Sequence, residues 1–306
     1  MRFIRNVVIL FLFLAPIAAL SALRPGDLPE TSKWYLHIDF KEMRSSDAGK
    51  HLYAWLQDEV FEDIRDDAGV DFDKEADFMT AFATQDDGMV IVIEGDISQD
   101  TEDRLMAMGA GSGSLDRFGS GNKAFFHIKN DDYDDDGDID IDIDSFDNGA
   151  YFSFAVKDKL IVTSTREKME ALLADKGRIK TVRSEKGALF VLNAERNLMQ
   201  AGARAGDFGD NIDWDSNILR NTEQAALLIA DKAGKIAIEA QLVTTEAEMA
   251  ESLASIVRGL ISLQVFNDDL DEEIVDFLQA TTVDVSDNKL TISVALDPEV
   301  VVAAIE

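Results

Sequence analysis

Short runs of alternating apolar and polar residues, each closed by a turn, recur along this chain and restrict it to antiparallel sheet with added helices. "KWYLHIDF" places Leu36, Ile38 and Phe40 on one face, the two-residue period of a half-buried strand. "DFMTAFAT" and "GMVIVIEG" flank the turn "QDDG", and "YFSFAV" and "LIVTST" flank "KDK". Further on, "TEQAALLIA" and "KIAIEAQL" flank "DKAG", and "TTVDV" and "LTISVAL" flank "SDNK". Strands joined this tightly are antiparallel neighbours, because a parallel pair needs a long crossover. Between hairpins the period changes. Leu52, Trp55, Leu56, Val60, Phe61 and Ile64 recur at three- and four-residue spacing, which predicts a helix over 47–67 closed by Gly69. Helices are also expected over 99–108, in "REKMEALLADKG", in "TTEAEMAESLASIVRGLISL", and in "DPEVVVAAI" with Pro298 in its first turn. The class is therefore α+β, hairpins of antiparallel sheet with helices packed on one sheet face.

The order of these elements repeats. "GMVIVIEGDISQDTEDRLMAM" matches "GKIAIEAQLVTTEAEMAESLASI" as turn glycine, strand, capping hydroxyl and helix. "VKDKLIVTSTREKMEALL" matches "VSDNKLTISVALDPEVVVAAI" as hairpin turn, strand and helix. Two matches in one order predict two similar tandem copies, residues 22–176 and 187–306, meeting at the basic, polar "KGRIKTVRSEKG". Gly88 to Asp158 spans 70 positions and Gly234 to Asp287 spans 53, so the first copy is 17 residues longer. An acidic stretch at 130–149 lies in that interval and reads as an elaborated hairpin. "GAGSGSLDRFGSGN", with its G-x-G-x-G run, follows a helix and precedes none. It therefore lacks the strand–loop–helix setting that cradles phosphate and reads as a linker.

With 46% hydrophobic residues in 306, the chain has enough apolar content for one large core or two ordinary ones. Its 60 acidic residues, 40 Asp and 20 Glu, against 29 basic give a net charge of −31. Such a surface repels nucleic acid and anionic headgroups, which are bound through Lys and Arg. It attracts divalent cations and basic proteins, or it serves only to keep the protein soluble.

Arg2 and Arg5, an apolar run from Val7 to Leu14, then Pro16 and small residues, lay out a secretory signal peptide over 1–21. Ala19 and Ser21 fit the positions before a cleavage site, and an uncleaved anchor is the alternative reading. The run is short of the ~20 residues a bilayer span needs, so no stable membrane insertion is expected after cleavage. No cysteine occurs, which excludes disulfides, thiolate metal sites and a cysteine nucleophile. These features place the chain in a bacterial periplasm or in the secreted fraction.

"WYLHIDFKEMRSSDAGKHLYAWL", followed by "AGVDFDKEADFMTAFAT" and "GMVIVIEG", is similar to a group of exported, uncharacterised bacterial α+β proteins. In these a strand leads to a helix opened by an S-x-x-G-K element, here Ser46 to Lys50. A G-[LVI]-D link follows, here Gly69, Val70 and Asp71, with Asp77 at looser spacing. The resemblance implies export and fold and carries no activity.

His37, His51 and His127 lie in three different elements, without the spacing of a helical metal pair. No G-x-S-x-G elbow occurs. The one match to a chemical template is "NDDYDDDGDIDIDIDSFDNG". A calcium loop begun at Asp132 finds Asp134 and Asp136 at positions three and five, Gly137 at six and Asp140 at nine. Position twelve is Ile143 where a bidentate carboxylate belongs, and the flanks read as strands where the template has helices. By its period of two, the same stretch sets Ile139, Ile141 and Ile143 on one face and Asp138, Asp140, Asp142 and Asp144 on the other. Two readings follow. One is a plain acidic hairpin; the other is a weak calcium site drawn from Asp132, Asp134, Asp136, Asp138 and Asp140. No other cofactor is indicated. For function the sequence indicates a non-catalytic exported binding or structural module with a basic or hydrophobic protein partner. A carboxylate-based exported hydrolase is the alternative.

Overall fold

The strands expected from the alternating runs form, and the ladders within each of two compact units are antiparallel. The computed structural model describes residues 32–68, 71–84, 88–111, 115–129, 149–174, 187–195, 221–265 and 272–305. In chain order the elements begin with β1 (Ser32–Asp39), α1 (Phe40–Ser45) and α2 (Gly49–Leu56). A π-helical turn (Gln57–Phe61) leads into α3 (Glu62–Ala68), then α4 (Phe72–Glu75), β2 (Ala76–Thr84) and β3 (Met89–Gly95). Next come α5 (Gln99–Gly111), β4 (Leu115–Phe118), a 3-10 turn (Gly121–Lys123) and β5 (Phe125–Ile128). β6 (Ala150–Ser153), β7 (Lys159–Thr163), α6 (Arg166–Ala174) and β8 (Ala188–Glu195) follow. The chain continues with β9 (Thr222–Lys232), β10 (Lys235–Thr244), α7 (Ala247–Val265) and α8 (Glu272–Ala280). It closes with β11 (Thr282–Ser286), β12 (Lys289–Leu296) and α9 (Pro298–Ile305). The protein is α+β, as its patterning predicts.

Two compact units emerge. One joins Lys33–Ala54 to Arg183–Glu306, and the other is Trp55–Val182. The division at 182/183 falls inside the expected junction, but a second division at 54/55 does not follow the tandem boundary. Its cause is strand pairing: β1 lies antiparallel to β8, with Tyr35 opposite Asn193 and His37 opposite Val191. Backbone donors and acceptors left open on one strand are satisfied by a strand over 150 residues away, a choice that local patterning does not encode.

In the first unit the strand order is β11-β12-β10-β9-β8-β1. α7 packs Leu253 and Ala254 onto Ala194, Ala225, Leu227, Ala240, Leu242, Leu290 and Ile292. Each fully buried Leu or Ile contributes roughly 1.5–3 kcal/mol relative to exposure. The alternate residues Tyr35, His37, Val191, Leu228 and Gln241 are buried as well, so both faces of this sheet are covered. Burial pushes the Tyr35 phenol well above its ordinary pKa, against a small opposing pull from Asn193.

In the second unit the order is β2-β3-β7-β6-β5-β4. The Gly/Ser stretch is not simply a linker. α5 runs into it as far as Gly111, and Leu115–Phe118 pairs with β5, Phe118 opposite Phe125. The 47–67 helix also departs from its expected stripe. Glu62 N–H donates to Gln57 O, five residues back, and this wider turn shifts the phase. Phe61 stays buried while Val60 turns outward at 37% exposure.

Two four-strand segments share one route. β2 pairs β3, β3 pairs β7 and β7 pairs β6, as β9 pairs β10, β10 pairs β12 and β12 pairs β11. A helix follows the second and fourth strands of each segment in chain order, and each second hairpin turns on an aspartate in the left-handed region, Asp158 or Asp287.

Candidate binding surface

The five carboxylates proposed as calcium ligands, Asp132, Asp134, Asp136, Asp138 and Asp140, lie outside the described residues. Their anchorage does not. β5 and β6 are paired with Ile128 opposite Ala150, so the acidic stretch connects two neighbouring antiparallel strands. Gly149 re-enters the sheet at φ 89°, and a Cβ there would stand 2.1 Å from Ile128 O. Only glycine fits. Among the described residues no group of three or more His, Asp or Glu side chains is placed to hold a metal ion.

The S-x-x-G-K element is a helix cap. Gly49 N–H donates to Ser46 Oγ at 3.0 Å, and Ala48 N–H donates to Asp231 Oδ2 at 2.8 Å. Asp231 Oδ1 also accepts from Gly234 N–H at 2.9 Å in its own hairpin turn. Burial alone would raise this carboxyl's pKa. The N–H groups of Ala48 and Gly234, with the Ser46 hydroxyl and Asp47 N–H, outweigh that and hold it below the ordinary value. The donors that open α2, in a pattern that invites an anion, are thus filled by the chain's own aspartate.

The histidines are dispersed, as expected. His37 is buried in β1, His51 Nε2 stands 3.8 Å from Glu299, and the His127 ring stacks on Tyr151 at 4.2 Å.

The surface that the sequence did not reveal is on α7. Its amphipathic period sets Ala250, Leu253 and Ala254 against the sheet. Ile256, Leu260 and Leu263, at i, i+4 and i+7, form a second apolar row that is 46%, 45% and 71% exposed. Polar groups beside this row turn inward. Ser252, Ser255 and Ser262 hydroxyls donate to the carbonyls of Glu248, Glu251 and Arg258, at 2.8, 2.9 and 2.8 Å. Arg258 Nη2 donates to Val283 O at 2.7 Å. Hydroxyls that bond back to their own helix offer solvent little, so the row's surroundings are less polar than their residue types imply. Among the described residues no helix is long and apolar enough to cross a membrane.

No family model and no curated protein matches the chain. Among solved structures, crystal form III of TP0453 aligns at 8% identity with a TM-score of 0.48, covering 94% of this chain and 99% of that one. Crystal form IV of TP0453 aligns at 8% identity with a TM-score of 0.49, covering 93% and 97%.

Proposed function

We propose that this chain is an exported, non-catalytic binding module of a bacterial envelope, and that α7 is its contact surface. The observation that carries this reading is the exposed row Ile256, Leu260 and Leu263, with its neighbouring hydroxyls folded back onto the helix. On a chain of net charge −31, a partner that covers such a row gains from apolar burial at the centre and basic residues around it. Export rests on the signal-like residues 1–21, and mature protein should begin at Ala22 or Leu23. Divalent cations, calcium among them, are proposed as weak ligands of the acidic connection between β5 and β6.

The test is site-specific photo-crosslinking from position 263 in the native envelope, read by mass spectrometry. One basic protein should be captured, and Ile256→Ser/Leu260→Ser should abolish the cross-link without lowering the melting temperature. Capture of a second copy or of lipid would replace the basic-partner reading. No cross-link at all would remove α7 as a contact surface.

A further inference from the structure

The second unit holds a half-open hollow of about 430 Å³, lined by Gly119, Lys123, Phe125, Arg166, Glu170, Leu173 and Ala174. Its volume falls within the roughly 300–1,000 Å³ usual for small-ligand sites. Its charge is the inverse of the chain's. Two cations and one carboxylate line it, in a protein with 60 acidic and 29 basic residues.

The cations are not equivalent. Arg166 lies over the Phe118 ring, 4.6 Å from its centroid, and its Nε donates to Glu170 Oε1 at 2.7 Å. Phe118 in turn stacks on the buried Phe125, ring centroids 5.3 Å apart and 16° from coplanar. The guanidinium is therefore held in place before any ligand arrives, while its Nη groups carry further donors. Lys123 is exposed and has no ion pair among the described residues. It is held at the rim by a tight bend. Gly119 takes φ 65°, and a Cβ there would stand 2.0 Å from Lys123 O. Glu170 offsets one positive charge, which leaves one over. Phe125, Leu173 and Ala174 supply the apolar wall.

We propose that this hollow binds a small amphipathic anion, its negative head between Lys123 and Arg166 and its short apolar body against Phe125 and Leu173. A prepositioned guanidinium and an unpaired ammonium fit either a carboxylate or a phosphate head. A cation of the same length is excluded by the surplus charge. This site shares no residue with the α7 surface and stands independently of it.

Calorimetric titration of the full chain at constant ionic strength tests the site with three probes of one chain length: octanoate, octyl phosphate and octyltrimethylammonium, each below micelle formation. Saturable one-site binding is expected for an anion and none for the ammonium. Tighter octanoate binding assigns a carboxylate head, and tighter octyl phosphate binding a phosphate head. Lys123→Gln/Arg166→Gln should weaken the anion at least ten-fold. Ala174→Trp, a substitution at an exposed helix-end residue, should fill the hollow and abolish binding with the melting temperature unchanged. Equal binding of the ammonium, no binding of either anion, or undiminished binding by Ala174→Trp would overturn the proposal.

Discussion

The segments β2-β3-β7-β6 and β9-β10-β12-β11 follow one route with different chemistry. In the second, Val243 stands opposite Lys289 and Thr244 N–H donates to Asn288 O at 2.8 Å. In the first, the same places hold Glu94 opposite Lys159, an ion pair at 2.5 Å, and Gly95 N–H donating to Asp158 O at 3.1 Å. The helices that follow differ likewise. Glu75 reaches α5 from a preceding helix, accepting from Ser98 Oγ at 2.6 Å and Thr101 Oγ1 at 2.8 Å. Before α7 the buried Thr244 hydroxyl donates to Glu246 O at 2.8 Å instead, and Asn288 Nδ2 donates to Thr244 O at 2.7 Å. One route thus tolerates either ionised or neutral partners at matched positions. Backbone pairing sets the path, and side chains stabilise it by whatever chemistry the position offers.

The largest effect should come from Leu160 and Leu290, the second residues of β7 and β12, both nearly inaccessible. Leu160→Ala and Leu290→Ala should each cost about 2–5 kcal/mol in urea unfolding. A loss under ~1 kcal/mol at either would break their equivalence.

Next is Asp231, which has no charged counterpart at a matched place among the described residues. Asp231→Ala should cost roughly 2–3 kcal/mol, since it removes hydrogen bonds to a charged acceptor. The sign with pH follows from the lowered pKa. The contribution is present above the unfolded value of about 3.9 and is lost as pH falls through the folded value. The gap between wild type and variant should therefore narrow in strong acid. A constant gap from neutral to acid pH would show that the carboxylate's charge is irrelevant.

Glu94→Gln should cost less, about 1–2 kcal/mol, because the pair is still 16–19% exposed to solvent. The swap Glu94→Lys/Lys159→Glu should restore much of the loss; if it does not, the pair stabilises through packing rather than charge. Smallest is the acidic connection. Millimolar calcium against ionically matched sodium should raise the melting point by only a few degrees, an effect that Asp134→Asn/Asp136→Asn should remove. Equal melting in the two salts would mean that no calcium site exists.

Hairpins were legible because their partners are adjacent in sequence and a two-residue period needs no distant information. β1 beside β8 was not, since no local signal says which open edge a strand will join. Short β4 was hidden by the glycines around it; four residues with two charges show no clear alternation, and only pairing with β5 makes them a strand. Ser46 and Gly49 were visible as a motif, and their role as a cap became plain only with Asp231 in place. The α7 row was half legible. Its apolar residues could be counted, but which of two apolar stripes meets the sheet depends on packing. Arg166 and Lys123 lie 43 positions apart, and nothing in either neighbourhood announces the other.

The π turn at Gln57–Phe61 has a consequence for what this helix tolerates. An α-helix advances about 100° per residue, and a single wide turn that absorbs one surplus residue leaves the later side chains on the faces of a regular helix one residue shorter. Deleting the exposed Glu59 would make the helix regular and would look harmless by burial alone. Because the wide turn closes as the residue leaves, the buried Phe61 and the residues of α3 would keep their seats. Here the number of residues counts for more than their identity: deletion of Glu59 should be tolerated, while one further residue inserted there would turn Phe61 by about 100° and act like a core mutation.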